Sequence, residues 1–235
     1  METLQRYFPD WPDATWAQLA ALETAFRAWN ERINLVSRRD MEAWQTHHLL
    51  HCLALAKVLS PAHGTRILDV GTGGGLPGLP IAILFPQTKV FLCDSIEKKA
   101  HALRDMVSEL GLRNVEIIHK RAETLESRWD YILGRAVTEL PRFLGWITKN
   151  LRPGGPEDCP HGVLYFKGTR YVEELAAIEL NPWKVHALDG WFAEPYFAEK
   201  FLLHFDAPTL QACPALRPTP PPPKKKASRA RSRRR

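Results

Sequence analysis

The first sixty residues carry the spacing of amphipathic helices. Between Pro12 and Ile33 apolar side chains recur at steps of three and four residues, which places them on one helical face. They are Trp16, Leu19, Leu22, Phe26, Trp29 and Ile33. A second helical stretch is expected from about Asp40, a suitable N-cap, to Leu59, where Ser60-Pro61 ends it. The pattern predicts an N-terminal helical cap over residues 1–60.

From Arg66 onward, short apolar runs alternate with helical stretches. Strands are predicted at 67–70, 89–94, 115–118, 131–133 and 163–166, and helices at 78–85, 96–111, 138–151 and 170–180. This alternation is typical of right-handed βαβ crossovers and a parallel sheet. Two more strands, 183–188 and 196–205, flank a turn at Asp189-Gly190 without an intervening helix, so we expect them to pair antiparallel.

These elements predict an α/β fold over residues 61–207, with a Rossmann-like, mostly parallel sheet of seven strands and an antiparallel last strand. The remaining segment, 208–235, is Pro-rich and then basic. Residues 217–235 hold nine Lys or Arg and no acid, so residues 1–216 carry 23 basic against 26 acidic side chains. We predict a disordered tail over 208–235, because this segment offers too little apolar surface to fold.

The composition excludes several classes of protein. Hydrophobic residues make up 45% and charged residues 25% of the chain, as in globular proteins. No run reaches the roughly 18 apolar residues of a membrane span, and the N-terminus lacks the apolar core of a secretion signal. The four cysteines are widely spaced, which disfavours a zinc site or a disulfide framework. We therefore expect a cytoplasmic protein with no membrane partner and no metal, and take a monomer as the default.

The densest chemical signal is the run Asp69-Val70-Gly71-Thr72-Gly73-Gly74-Gly75-Leu76-Pro77-Gly78, directly after the first predicted strand. Glycines let the backbone turn with positive φ and let a ligand approach closely. Asp94 ends the second strand 19 residues after Gly75, where an acid that binds ribose hydroxyls is expected, and it also suits a cap for the next helix. The sequence predicts a ribose-bearing cofactor here.

The chemistry of that cofactor depends on the residues around the glycines. Their spacing also fits the G-x-G-x-x-G pattern of dinucleotide sites, so an NAD-type oxidoreductase stays open. However, Pro77 and Pro80 remove N–H groups that would face a pyrophosphate. Asp69 would repel a pyrophosphate and would suit an ammonium or sulfonium ligand. These features favour S-adenosyl-L-methionine.

Taken together, these residues resemble the bacterial RsmG (GidB) family of small-subunit rRNA methyltransferases. The resemblance extends from about Trp29 to Phe205. Its matching pieces are Asn34–Ser37, Asp69–Pro80, Leu92–Ser95 with Lys98 and Lys99, Arg121–Glu123, Gly134–Val137 and Lys167-Gly168. The chain departs from the family pattern at His51-Cys52, where Asp-Ser is usual, and at Gly134, where Ser is usual.

The resemblance implies a fold, a reaction and a set of site residues. It implies a class I methyltransferase fold that uses S-adenosyl-L-methionine to methylate N7 of a guanine in the decoding region of 16S rRNA, as free RNA or in the 30S ribosomal particle. By resemblance, Gly71, Gly73 and Leu76 contact the amino-acid part of the cofactor and Asp94 contacts the ribose. Ala122 and Glu123 contact the adenine, and Arg135 lies at the mouth of the active site as a cofactor-binding and catalytic residue.

The sequence also bears on the acceptor. Guanine N7 carries no proton, so its methylation needs alignment and electrostatic support but no general base. This agrees with the absence of a D-P-P-Y or N-P-P-Y motif. The N7 edge of A-form RNA lies in a deep groove, so the target base must come from a loop or be flipped out.

Candidate RNA contacts follow from position and charge. Arg135 is suited to the base or its phosphate, with an ion pair to Asp69 or Glu123 as the alternative. Lys167 ends the fifth strand and is a second candidate. In the tail, the candidates are Lys224, Lys225 and Lys226, which would hold RNA without sequence preference.

Two other interpretations concern histidines and function. His47, His48 and His51 lack the H-E-x-x-H pattern of a metal site, so we expect core or solvated side chains. A third functional class, besides a methyltransferase and an oxidoreductase, is a non-catalytic RNA-binding protein with a methyltransferase-like fold. It would bind RNA through its tail and would be indifferent to cofactor.

Overall fold

A seven-stranded sheet forms the centre of the computed structural model, which describes residues 1–216. The strands are β1 Arg66–Val70, β2 Lys89–Asp94, β3 Val115–His119, β4 Tyr131–Arg135, β5 Gly162–Gly168, β6 Lys184–Ala187 and β7 Lys200–Asp206. Their order is β3-β2-β1-β4-β5-β7-β6. The first five strands pair parallel, and β7 pairs antiparallel with both β5 and β6. The predicted sheet, with its antiparallel last strand, is confirmed.

Helices cover both faces of the sheet, as crossovers between parallel strands require. On one face, α2 Asp13–Ile33 packs against α5 Gly78–Leu84 and α6 Glu97–Glu109. On the other face lie α7 Leu140–Ile147, α8 Tyr171–Ala176 and α9 Ala207–Ala212. The short α1 Glu2–Gln5 joins the first face, where Leu4 is buried. Each face therefore has its own apolar core, and the strand ends emerge between the two.

The second predicted cap helix is broken into short segments. It begins as α3 Arg38–Glu42, and its N-cap is Ser37, whose hydroxyl accepts from Asp40 N, so the expected N-cap Asp40 is wrong. A π-helical turn, Gln45–Leu50, then leads into α4 His51–Leu53 and a 3₁₀ turn, Ala54–Lys57. Trp44, Leu49 and Leu50 are fully buried across these segments. Tertiary packing therefore overrides the regular 3.6-residue pattern that the sequence suggested.

Several other element ends differ from the predictions. The helix predicted over 170–180 ends at Ala176, and the one predicted over 138–151 ends at Ile147 with a 3₁₀ turn after it. The last strand begins at Lys200, because 195–197 form another 3₁₀ turn. Pro195 opens that turn, and a proline has no N–H to give to a strand ladder.

The boundary predicted for the tail is wrong, because residues 208–216 are folded. The Asp206 carboxylate accepts from Thr209 N and caps α9, with Pro208 in its first turn. Leu210, Cys213 and Leu216 are buried on the α7 face. The rest of the predicted tail, with Lys224, Lys225 and Lys226, lies outside the described residues.

Two further findings concern residues 1–216. No helix there combines the length and apolar character needed to cross a membrane. Within the same range, no group of three or more His, Cys, Asp or Glu side chains is arranged to hold a metal ion.

Candidate cofactor and acceptor site

The glycine loop connects β1 to α5 at the carboxyl edge of the sheet. Gly71 and Gly73 have φ values of 66° and 59°, in the left-handed region that favours glycine. The N–H groups of Gly71 and Thr72 both donate to the Cys93 carbonyl, at 2.8 and 3.1 Å, which ties the loop to the end of β2. A Cβ built on Gly73 meets nothing closer than the Gly71 carbonyl oxygen at 4.0 Å. The loop therefore leaves open space above Gly73.

Asp69 places a carboxylate under this loop. Its Oδ2 accepts from Thr72 Oγ1 at 2.6 Å and from Gly78 N, the first residue of α5, at 2.8 Å. Its Oδ1 is buried and has no hydrogen-bond partner within residues 1–216. Burial raises the pKa of Asp69 to about 7. A pyrophosphate needs free N–H groups at this helix start, and here an acid already uses one.

Asp94 joins the loop to the second strand. Its Oδ2 accepts from Gly73 N at 3.0 Å, and its Oδ1 accepts from Ile96 N at 2.9 Å, just before α6. Asp94 therefore fixes the residue before α6 but does not cap the helix, whose N-cap is Ile96 with no side-chain hydrogen bond, so the predicted capping role is wrong. A carboxylate has about four lone-pair sites, so these two bonds leave acceptors for ribose hydroxyls. The ribose role remains a prediction.

A cavity of about 170 Å³ lies beside the loop. Four of the predicted cofactor residues line it, namely Gly71, Asp94, Ala122 and Glu123. Leu76 lies elsewhere, buried in the core of the cap face. Sequence reasoning missed two lining residues on α7, Arg142 and Trp146, whose guanidinium and indole stack at 5.1 Å. Both lie inside a predicted helix, and nothing in their spacing distinguished them from ordinary surface or core positions.

Arg135 ends β4 and reaches toward the cap. Its Nη2 donates to His48 Nδ1 at 3.0 Å, and its Nη1 lies 3.5 Å from the His47 carbonyl oxygen. Within residues 1–216 it forms no ion pair with Asp69 or Glu123; Glu123 lies instead 3.8 Å from Arg121. The cap therefore holds this guanidinium without neutralising it.

The segment after Arg135 is fixed by a buried hydroxyl. Ala136 has a positive φ of 54°, a strained value for a residue with a Cβ. The Tyr165 hydroxyl accepts from the N–H groups of Val137 and Thr138, each at 3.2 Å, and donates to the Thr138 carbonyl at 2.9 Å. Val137 packs so closely on Gly71 that a Cβ there would lie 2.9 Å from its methyl carbon. This contact sets one wall of the cavity.

The cap histidines gather around Arg135. His48 and His51 are largely buried, which lowers the pKa of His48 to about 4 and that of His51 well below its usual value. The His47 ring stacks on Tyr196 at 4.0 Å between centroids and 16° between planes. Both neutral histidines agree with the core interpretation. The approach of Tyr196 was missed, because it follows β6 far along the chain.

Lys167 is engaged within the protein. Its Nζ lies 2.7 Å from each carboxylate oxygen of Glu174, and both side chains are mostly buried. Glu174 also accepts from Leu140 N at 2.7 Å, at the start of α7. The pair links β5, α7 and α8, so a phosphate contact by Lys167 would compete with this ion pair.

Comparisons with known proteins identify the family of this chain. The family described as rRNA small subunit methyltransferase G matches residues 16–187. A ribosomal RNA small subunit methyltransferase G from Flavobacterium johnsoniae is 39% identical over 204 residues, covering 87% of this chain and 97% of the relative. One from Cytophaga hutchinsonii is 39% identical over 208 residues, covering 88% and 100%.

A solved structure agrees with the fold. The chain is similar to a SAM dependent methyltransferase from Aquifex aeolicus, with a TM-score of 0.51 and 17% identity, covering 71% of this chain and 93% of that one. At this identity the likeness shows the fold alone. The assignment to a family therefore rests on the match over residues 16–187, which covers most of the cap and of the sheet. This chain belongs to the rRNA small subunit methyltransferase G family.

Proposed function

We propose that this protein transfers the methyl group of S-adenosyl-L-methionine to N7 of a guanine in the decoding region of 16S rRNA. Membership of the family supports an rRNA substrate and a methyl-transfer reaction. The observation that supports this cofactor is the environment of the Asp69 carboxylate. One oxygen accepts from the first N–H of α5, and the other is buried beside the glycine loop with no hydrogen-bond partner among residues 1–216.

The residues present fit the methyl donor better than a dinucleotide. An unpaired buried carboxylate oxygen is costly, and a ligand ammonium would satisfy it. Gly73 leaves the space that such a ligand needs, since a Cβ there has no close neighbour. A pyrophosphate would place negative charge against Asp69 and find no free N–H at Gly78.

The lining of the cavity supports a placement of the rest of the cofactor along the strand ends. Gly71 and Gly73 would border the methionine part, and Asp94 would accept from the ribose hydroxyls. Leu76 is buried in the core of the cap face and does not line the cavity, so its predicted contact gains no support from the cavity. Ala122 and Glu123 would border the adenine, with Trp146 available for stacking. Since β2, β1 and β4 are neighbours in that order, the cofactor would run from Asp94 toward Arg135.

When bound, S-adenosyl-L-methionine supplies a methyl group activated by a sulfonium charge. The N7 lone pair would take this methyl as the bond between sulfur and the methyl carbon breaks, with S-adenosylhomocysteine leaving as a neutral thioether. The purine would gain the positive charge that the sulfur loses, and no proton has to leave. The protein therefore needs to orient the base and exclude water, and a catalytic base is unnecessary. A guanidinium opposes a cationic purine, so Arg135 is better suited to an anionic oxygen of the cofactor or of the RNA backbone.

The deciding experiment is methyl transfer to 30S particles, and to free 16S rRNA, from cells that lack the native modification. We expect labelled 7-methylguanosine with the wild-type protein and its loss with Arg135→Ala. Arg113→Ala is the matched control, because Arg113 is exposed just before β3, at the opposite edge of the sheet. Another methylated nucleoside would overturn the N7 assignment. No transfer by a protein that binds S-adenosylhomocysteine would overturn the proposed acceptor.

A further inference from the structure

We propose that His47 and Tyr196 form a stacking platform for the acceptor guanine. The inference rests on the proposed function and adds the subsite for the base. His47 lies on the π-helical turn of the cap, and Tyr196 lies in the 3₁₀ turn before β7. Their rings are parallel to within 16° with centroids 4.0 Å apart.

The platform lies next to the proposed methyl-transfer centre. Arg135 approaches the His47 carbonyl oxygen and donates to His48, so the cap turn meets the end of β4 here. Lys200 begins β7 opposite Gly168, the last residue of β5, which brings the segment before β7 to the same sheet edge. A base on the platform would therefore approach from the Arg135 side, opposite the adenine end of the cavity.

The platform is held rigidly. The Tyr196 hydroxyl donates to the His47 carbonyl oxygen at 3.2 Å and lies 3.3 Å from His51 Nδ1. His51 is itself buried and packs edge-on against Phe166 at 4.5 Å. A ring fixed in this way loses little entropy when a base stacks on it, which favours binding of a flipped nucleotide.

Exposure separates the platform from the surrounding aromatic side chains. Trp44, Phe166 and Phe197 are buried in the core, whereas His47 and Tyr196 are only partly buried. The His47 side chain is 33% exposed. Aromatic surface therefore reaches solvent beside Arg135, where the acceptor has to enter.

The charges suit the reaction as well as the base. Stacking on an aromatic side chain contributes about 1–3 kcal/mol per base and needs no particular sequence. As N7 accepts the methyl, the purine becomes cationic, and the electron-rich face of a tyrosine favours a cation. Lys200 holds its Nζ over the same Tyr196 ring, 5.5 Å from the centroid, so a base that stacks on this ring has to displace the ammonium. The displaced ammonium would be suited to the phosphate of that base.

The test compares Tyr196→Leu with Tyr196→Phe. If the ring binds the base, Tyr196→Leu raises KM for the 30S particle or lowers kcat, reducing kcat/KM about tenfold or more, whereas Tyr196→Phe keeps most of it. Affinity for S-adenosylhomocysteine, measured by calorimetry, stays at the wild-type value in both. Tyr171→Leu is the matched control, since Tyr171 packs on Phe201, against the core of the other face.

A second variant guards against a folding defect in Tyr196→Leu. His47→Ala removes a partly exposed ring and keeps the backbone carbonyl that Arg135 and Tyr196 use, so we expect the same loss of kcat/KM with unchanged cofactor affinity. Wild-type kcat/KM in both Tyr196→Leu and His47→Ala would overturn the platform while leaving the methyl-transfer function intact. Absence of transfer by the wild-type protein would instead overturn the proposed function.

Discussion

Asp69 is an ionisable residue that the fold buries completely. Burial raises its pKa to about 7 from the ordinary value of 3.8. Between these two pH values the folded protein retains a proton that the unfolded chain loses. The contribution of Asp69 to stability is therefore present at low pH and is lost as pH rises toward 7.

Cofactor binding should reverse this protonation. An ammonium placed at Oδ1 favours the ionised carboxylate, so binding of S-adenosylhomocysteine should release a proton when measured at about pH 6.5. Calorimetry in two buffers of different ionisation enthalpy measures this release. We expect Asp69→Asn to abolish it and to weaken binding. Equal proton release by the Asn variant would exclude Asp69 as the group that meets the ligand charge.

Gly73 tests whether the open space of the loop is a ligand site. Gly73 and Gly64 both have positive φ, 59° and 78°, and a Cβ at either position meets no close neighbour. Alanine at each position should cost about 1 kcal/mol of folding stability through backbone strain alone. If the cofactor lies over Gly73, only Gly73→Ala should also weaken S-adenosylhomocysteine binding, by tenfold or more, about 1.4 kcal/mol.

The comparison separates strain from contact. Thermal unfolding without ligand should shift equally in Gly73→Ala and Gly64→Ala, because each variant carries the same kind of strain. Equal cofactor affinity in the two variants would show that the methionine part of the ligand does not approach Gly73.

At the scale of elements, the sequence predicted those helices and strands that depend on the local pattern of apolar residues. Parallel strands are buried on both faces, so their apolar runs stand out, and Asp69, Asp94 and Arg135 were placed correctly at strand ends. The elements that deviated, α9 and the π-helical turn, depend on tertiary packing. Nothing in a Pro-rich composition showed that Leu210 and Leu216 would be buried.

The residues of the candidate site also fall into those that local sequence pattern predicts and those that depend on tertiary packing. Residues on the glycine loop and on β2 follow from motif and spacing. Trp146, His47 and Tyr196 could not be placed, because their positions depend on how α7, the cap turn and the segment before β7 meet at one edge. Aromatic residues in a single sequence have core packing as their default role.

The end of the folded domain gives a prediction for α9. A chain ending at Asp206 loses Leu210 and Leu216, and loss of one buried leucine side chain already costs about 2–5 kcal/mol. We expect its melting temperature to fall by about 10 °C or more, whereas a chain ending at Leu216 should melt like the full protein. Similar melting of the two truncated chains would show that α9 adds nothing to stability.

At the scale of the whole molecule, the two faces of the sheet supply different halves of the proposed site. The α7 face gives Trp146 and Arg142, which line the cavity, and the cap face gives His47 and His48, which meet Arg135. The strand ends lie between them. The proposed reaction therefore occurs where the two layers come together. Substitutions on the α7 face should affect binding of S-adenosyl-L-methionine, and substitutions on the cap face should affect binding of the RNA.

The excess of positive charge lies in the last segment of the chain and not in either layer of the fold. Residues 1–216 hold 23 basic and 26 acidic side chains, so the folded part offers no overall attraction to RNA. Residues 217–235 hold nine Lys or Arg and no acid. We propose that this segment contributes affinity for the ribosomal particle through counterion release, without selecting the methylated base.

Removal of residues 217–235 should therefore weaken binding in a way that depends on salt. Each phosphate contact contributes about 0.7 to the slope of log K against log salt for single-stranded RNA, so loss of four or more contacts should flatten the slope by about 3. A full-length variant with the nine Lys and Arg replaced by Gln separates charge from length and should behave like the truncated chain. Because the proposed cofactor site lies within residues 1–216, affinity for S-adenosylhomocysteine and the identity of the methylated nucleoside should be those of the full protein in both. An unchanged slope in the Gln variant would show that residues 1–216 alone supply the RNA affinity. The basic side chains at the sheet edge around Arg135 would then be the candidates for the phosphate contacts.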